Sequence, residues 1–381
     1  MLDFSFSETQ ERLRQEVRAF ALQELLPRYQ EWDRTEQVPA DLIRRMGQQG
    51  YLVTTVPASY GGPGTDRVTC GLIAEELARG DFNLAILAFG TLVDAFLAYG
   101  TERQRREWLP ALARGDRILG IALTEPQGGS DAAHLKTTAL RRGDEYIVTG
   151  EKASVSLLNA SGWFLLARTN PDEPGARGIS LFILPRDAPG VTLRPERSLG
   201  GRALPRGEMI LKDVRLPVAN RLGPENQGFG IIMEAFDYNR ALIGLKCLGA
   251  AQQTLEETIA FGRERRAFGR PITAFEAVSF SIAEAATYIE LGRWLCYRVL
   301  WLRDQGRPHR QEAAMAKWWL PKTCVDIIHR CLLIHGQLGY SDRHPLQQRL
   351  RDVMGWQIGD GTAEIQKLII AREIIGRESV G

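Results

Sequence analysis

Gly162-Trp-Phe-Leu-Leu-Ala-Arg168, then a break at Pro171-Asp-Glu-Pro174, then Ile179-Ser-Leu-Phe-Ile-Leu184 decide how this chain is divided. Both apolar runs are short and bounded by turn formers, so they read as strands. Outward from them, Glu145–Thr149, Val191–Arg194 and Glu208–Leu216 read the same way, with Gly143-Asp144, Pro189-Gly190 and Gly200-Gly201 as the turns between them. This is a small all-β unit. The period is helical on either side of it. Upstream, Ser7-Glu-Thr-Gln10 is a capping box, Leu13, Val17, Phe20 and Ala21 follow at helical spacing, and Pro27 limits that helix. Ala40–Gln49 repeats the pattern and stops at Gly50, Pro57–Gly64 is a loop by composition, and Thr69–Ala78 and Glu102–Ala113 are helical again. Downstream of Pro217, long helical patterns run over Phe229–Arg265, Ala274–Gln305, Glu312–Ile334 and Thr362–Gly376, enough for a four-helix bundle. The expected organisation is an N-terminal helical domain (1–118), a middle β domain (119–222) and a C-terminal bundle (223–381).

Composition narrows the partners. In 381 residues, Lys+Arg number 48 against Asp+Glu 46, a formal net charge of +2, which gives no electrostatic argument for nucleic acid. No apolar run approaches the ~20 residues of a membrane span. Met1-Leu-Asp-Phe-Ser-Phe-Ser-Glu8 lacks the basic and apolar blocks of a signal peptide, so a cytoplasmic setting is expected. Cys70, Cys247, Cys296, Cys324 and Cys331 are odd in number and scattered, which argues against a disulfide scaffold. With no C-x-x-C, no H-E-x-x-H and no metal spacing among the histidines, no metal is expected. Neither G-x-G-x-x-G after a strand nor a P-loop is present, so a cofactor would bind by another route.

Four segments carry candidate chemistry, each with an ordinary structural reading beside the functional one. Leu123-Thr-Glu-Pro-Gln-Gly-Gly-Ser-Asp131 is either a Gly-rich turn with a cap or a backbone that approaches a ligand closely, with Thr124 and Ser130 supplying hydroxyls. In Gly150-Glu-Lys-Ala-Ser-Val-Ser156, Ser154 and Ser156 alternate and so point the same way, as the polar face of a strand or as ligand contacts. The arginines of Arg263-Glu-Arg-Arg-Ala-Phe-Gly-Arg-Pro-Ile272 either complement a helix C-terminus or hold phosphates. In Arg351-Asp-Val-Met-Gly-Trp-Gln-Ile-Gly-Asp-Gly-Thr362, Thr362 is a credible N-cap. Asp360 there is either a dipole partner of the last helix or a general base projected from a loop.

Taken together and in this order, the segments resemble the acyl-CoA dehydrogenase flavoprotein family over essentially the whole chain. Thr124–Asp131 looks like its T-E-P-x-x-G-S-D motif, Arg265-Arg-Ala-Phe-Gly269 like its R-x-x-F-G, and Arg351-Asp352 with Gly361–Gln366 like its closing R-D…G-T-x-x-I-Q. The resemblance implies an acyl-CoA dehydrogenase-like fold (N-terminal all-α domain, middle β-barrel-like domain, C-terminal four-helix bundle), FAD as cofactor, and a homotetramer built as a dimer of dimers. It assigns Leu123, Thr124 and Ser156 to the flavin ring and Ser130 to both the FAD pyrophosphate and the CoA arm. Arg265 and Phe268 would reach the FAD of a neighbouring subunit. Thr362 and Glu364 are further FAD contacts, and Ser154 and Gly336 complete the cofactor set. Asp237, Arg240, Gly361 and Arg372 fall to the substrate, with Leu87–Thr91 along the acyl pocket.

There are departures. Ser154 stands where many relatives carry a large aromatic residue, and Leu333-Ile-His-Gly-Gln337 keeps only the glycine of a Q-x-x-G-G pattern. Asp360 replaces the usual Glu base, and Asn239, at the family's alternative base position, cannot serve. The implied activity is FAD-dependent α,β-dehydrogenation of an acyl-CoA thioester. Asp360 would take the α-proton, flavin N5 the hydride, and an electron-transfer flavoprotein the electrons. The pattern most resembles cyclohexane-1-carboxyl-CoA dehydrogenases. The other expectations are a short- or branched-chain acyl-CoA dehydrogenase, or a flavin oxidase of a small carbon acid like the nitroalkane oxidases.

Overall fold

The computed structural model describes residues 5–380, without the side chain of Thr91, so the reading made on Met1–Phe4 lies outside the described residues. The first part is helical: α1 (Glu8–Phe20), α2 (Tyr29–Thr35), α3 (Ala40–Gln48), α4 (Arg67–Gly80), α5 (Thr91–Tyr99) and α6 (Glu102–Ala113). The capping box at Ser7 and Gln10 forms in both directions. Pro27 does not end the helical path. A π turn (Ala21–Leu25) and a 3-10 turn (Leu26–Arg28) carry it into α2, because Pro27 falls in the first turn of the latter, where a missing N–H costs nothing. Helix α5 has no counterpart in the sequence reading.

Next come β1 (Leu119–Ala122), β2 (Thr138–Arg142), β3 (Glu145–Ser156), β4 (Gly162–Arg168), β5 (Ile179–Pro185), β6 (Val191–Glu196), β7 (Arg206–Pro217) and β8 (Arg221–Leu222). They form one sheet in the order β6-β7-β3-β2-β4-β5-β8, with β1 added parallel to β4. Strands β4 and β5 read as unbroken apolar runs because both of their faces are covered. Trp163, Leu165, Phe182 and Leu184 join a core that continues into the C-terminal helices. Phe164, Leu166, Leu181 and Ile183 pack with Phe96 of α5 and Trp108 of α6.

The last part holds α7 (Gly228–Glu264), a small hairpin β9 (Arg266–Ala267) and β10 (Arg270–Pro271), then α8 (Glu276–Asp304), α9 (Arg310–His335), α10 (Gln337–Tyr340), α11 (Leu346–Met354) and α12 (Ala363–Ile375). Helix α7 packs on α8 and α9, and α12 lies against α9. Helix α7 also packs on α4, bringing the first and third parts together, and the opening of α7 reaches the sheet at Ile231, Ile232 and Phe236.

Candidate active site

All three parts line one cavity of about 760 Å³. Its sheet-side wall is the segment after β1 together with the end of β3. Glu125 organises that wall. Its carboxylate accepts from the Lys136 N–H at 2.6 Å, the Thr137 N–H at 3.0 Å and Lys152 Nζ at 2.7 Å. Lys152, wholly buried, also donates to the Leu123 carbonyl at 3.1 Å, and the Ala153 N–H donates to the Thr124 carbonyl at 2.8 Å. Burial alone would raise the Glu125 carboxyl. Lys152 and the backbone donors outweigh it and hold it at about 2, so the pair stays ionised. Leu123 and Thr124 are thereby pinned by their carbonyls while their side chains line the cavity.

The serines of β3 reach the same wall by a different route from simple alternation. A bulge falls between Lys152 and Val155, and Ser154 takes a left-handed conformation at φ +53. The extra residue breaks the two-residue period, yet Ser154 and Ser156 both line the cavity. Ser130 and Asp131, exposed, also line it, as do Leu87 and Phe89 on the N-terminal side. The side chain of Thr91 lies outside the described residues.

The facing wall comes from α7 and the turn before α12. Asp360 sits at φ +57 and Gly361 at φ +94, and Thr362 caps α12 by accepting from the Ile365 N–H. Asp360, Gly361 and Thr362 all line the cavity. Asn239 donates from Nδ2 to Asp360 Oδ2 at 3.2 Å, so the amide at the alternative base position instead holds the Asp360 carboxylate. Arg240 lines the cavity and pairs with Asp237 at 2.8 Å, which places Asp237 behind it.

Several expected residues are not gathered here. Arg265, exposed, caps the end of α7 just before β9, and Phe268 lies in the β9–β10 turn, 95% exposed at φ +51. Gly336 ends α9 at φ +61, and Glu364 and Arg372 lie along α12; none of the five lines the cavity. Sequence reasoning missed Arg206 of β7, paired in register with Ser156, whose guanidinium makes no hydrogen bond among the described residues and lines the cavity. It also missed Lys246 and Lys317, two buried lysines in otherwise apolar helix stretches. Such isolation was the signal that could have found them.

The cavity fits a large ligand with a polar edge. Buried Asn239 Oδ1 and Arg240 Nε have no protein partner, so an acceptor and a donor remain to be used at this wall. A Cβ added at Gly129 would meet nothing nearer than Thr124 Cγ2 at 4.0 Å, which leaves the backbone open to close approach. Apolar side chains beside the hydroxyls of Thr124, Ser130, Ser154, Ser156 and Thr362 suit the flat, hydrogen-bonding ring system of FAD.

Comparison with known proteins agrees. The N-terminal domain of acyl-CoA dehydrogenases matches residues 7–116, the middle domain 120–214 and the C-terminal domain 226–375. A probable acyl-CoA dehydrogenase of Bacillus subtilis is 35% identical over 98% of this chain and all of its own. The butyryl-CoA dehydrogenase of Megasphaera elsdenii superposes with a TM-score of 0.94 at 29% identity, over 98% of this chain and 100% of that one. A structure described as the electron transferring flavoprotein of Acidaminococcus fermentans gives a TM-score of 0.94 at 32% identity, over 98% and 100%. With each of its three parts matched in order, the chain belongs to the acyl-CoA dehydrogenase family of FAD-dependent oxidoreductases.

Proposed function

We propose that this enzyme desaturates the α and β carbons of an acyl-CoA thioester with Asp360 as the base. The observation that carries this reading is a carboxylate thrown into the cavity from a left-handed turn, tethered by Asn239 and opposite the wall of Leu123, Thr124 and Ser156. FAD would be held by Leu123, Thr124, Ser130, Ser154, Ser156 and Thr362, and when bound it supplies the hydride acceptor. Asp360 takes the α-proton as the α C–H bond breaks, while the β-hydrogen leaves with its electron pair and the C=C bond forms. Asn239 keeps one carboxylate oxygen occupied, so the other meets the substrate. The Asp360 backbone N–H is the assigned donor to the thioester oxygen, whose charge grows as the proton leaves. Arg240, steadied by Asp237, would serve the CoA side with Gly361, and Arg372, outside the cavity lining, is the remaining residue assigned to the substrate.

Arg265 and Phe268 act in this reading across a subunit boundary, with the exposed hairpin of one copy completing the FAD site of another in a homotetramer, while Gly336 and Glu364 remain assigned as further FAD contacts. Support comes from the near-total exposure of Phe268, a large apolar side chain. An electron-transfer flavoprotein is the proposed acceptor, supported by the likeness reported above.

Within this class we assign cyclohexane-1-carboxyl-CoA as substrate and cyclohex-1-ene-1-carboxyl-CoA as product. Asp360 is one methylene shorter than Glu, and Ser154 presents a small side chain to the cavity, so space remains for a branched α-carbon. Likeness to a butyryl-CoA dehydrogenase favours a second reading, a short linear acyl group. Anaerobic bleaching of the flavin by a panel of thioesters decides between them. The ring thioester should bleach fastest; faster bleaching by butyryl-CoA would replace it with the linear substrate, and no bleaching by any acyl-CoA would overturn the activity.

A further inference from the structure

The turn that carries Asp360 needs support of its own. The chain leaves a 3-10 turn at Gly355–Gln357, passes through Asp360 and Gly361 in succession at positive φ, and enters α12. A non-glycine residue held there costs roughly 1–3 kcal/mol and persists only where the surroundings over-determine it. Lys317 of α9 supplies that support. Its Nζ donates to the Trp356 carbonyl at 2.7 Å and to the Gly361 carbonyl at 3.2 Å, one on each side of Asp360. Gln366 adds longer contacts from Nε2 to the Asp360 and Gly361 carbonyls, at 3.5 and 3.4 Å. Lys246 of α7 presses on the start of the same turn, its ammonium 3.6 Å from the Trp356 ring centroid and 4.3 Å from that of Phe82.

Both lysines are 1% exposed, and among the described residues neither is ion-paired to a carboxylate. A buried cation without a counter-ion costs several kcal/mol, so packing alone would be better served by leucine or methionine. Burial pushes the Lys246 ammonium down to about 7 and lowers Lys317 as well; the charge that most opposes the fall at Lys317 is that of Asp360. We infer that Lys317 is a positioning residue for Asp360, its two carbonyl bonds bracketing the base and fixing the direction of the carboxylate, with Lys246 clamping Trp356 at the other end of the turn. The inference rests on Asp360 being the base proposed above.

The test is a double-mutant cycle on the holoenzyme, using Lys317→Met, Asp360→Asn and the two combined. FAD content, melting temperature, KM and the single-turnover rate of anaerobic bleaching are read for each. Lys317→Met should keep its FAD, change KM less than about threefold and slow bleaching roughly 10²-fold, as a displaced reacting group does. On the Asp360→Asn background the same change should slow bleaching by less than about threefold, while its thermal shift stays the same in both backgrounds. Where Lys317→Met does not fold, Lys317→Gln, which retains a donor for one carbonyl, should show a loss of roughly tenfold that also vanishes on the Asp360→Asn background. Wild-type bleaching by Lys317→Met, or a full loss repeated without Asp360, overturns the positioning role alone. Wild-type bleaching by Asp360→Asn overturns the base assignment and this role with it.

Discussion

Asp360 and the Glu125–Lys152 pair set the two walls of the cavity by opposite means. Asp360 is open to the cavity and held on one oxygen; the pair is shut away and saturated with donors. Asp360→Asn keeps the shape of the side chain and removes its basicity, so it should retain FAD and bind acyl-CoA while bleaching falls by roughly 10²–10⁴-fold. Stopped-flow bleaching beside a thioester binding titration separates the two effects. Lys152→Met leaves a buried carboxylate without its cation, a change that typically costs about 3–5 kcal/mol. Chemical denaturation should register that loss, and FAD retention should fall with it because the Leu123 carbonyl loses its side-chain anchor. Both lysine–carboxylate partners were visible in the sequence as separate motif letters. That they touch was not, since an ion pair across 27 positions leaves no local trace.

At the scale of elements, α4 is held from both sides by close backbone approach. A Cβ at Gly80 would meet the Ala21 carbonyl oxygen at 2.2 Å, within the π turn after α1, and a Cβ at Gly249 of α7 would meet the Glu75 carbonyl oxygen at 2.1 Å. The α4–α7 crossing brings the N-terminal part onto the helix that bears Asn239 and Arg240, so its spacing matters to the site. Gly249→Ala gains helix propensity but must push the two helices apart, a net loss of about 1–3 kcal/mol. Thermal unfolding should show it as a lower melting temperature, with FAD still bound. Helices α7, α8 and α9 were legible because their apolar residues recur over many turns. Helix α5 was not, because nearly all of Thr91–Tyr99 is apolar or small and a short helix buried on most sides shows no polar stripe.

Across the whole molecule, Arg351 and Asp352 clasp the three parts together. Arg351 binds both oxygens of Asp33 in α2, at 3.2 and 2.8 Å, and the Leu199 carbonyl of the β domain at 2.7 Å. Asp352 accepts from the Gly201 N–H at 2.7 Å and from Asn83 Nδ2 at 3.0 Å. Burial raises the Asp352 carboxyl to about 7, from an ordinary value of 3.8. The folded state therefore binds more protons than the unfolded one between these values, so the contribution of Asp352 to stability falls as pH rises through that window and is level above it. Burial also raises Asp81, to about 6, in the same direction. Melting temperature measured from pH 5 to pH 7 should decline as these protons are lost. Asp352→Asn, with Asn83 turned to present its oxygen, should flatten the decline; an equal slope in the variant would place the titrating group elsewhere.

The sequence by itself determined the helix–sheet–helix order, the capping of α1 and α12, and the family, because periodicity, caps and motif letters are local and survive without a fold. It also singled out Asp360, as the one carboxylate matched to a base position. Only the tertiary structure decided that the serine wall rests on a bulge and not on alternation, and that Glu125 pairs with Lys152. It alone showed that Asn239 tethers Asp360 and that Lys317 grips the turn around it. These are contacts between elements far apart in the chain. They exist because burying apolar faces brings polar groups into a low-dielectric interior where each must find a partner, and which partner it finds depends on packing.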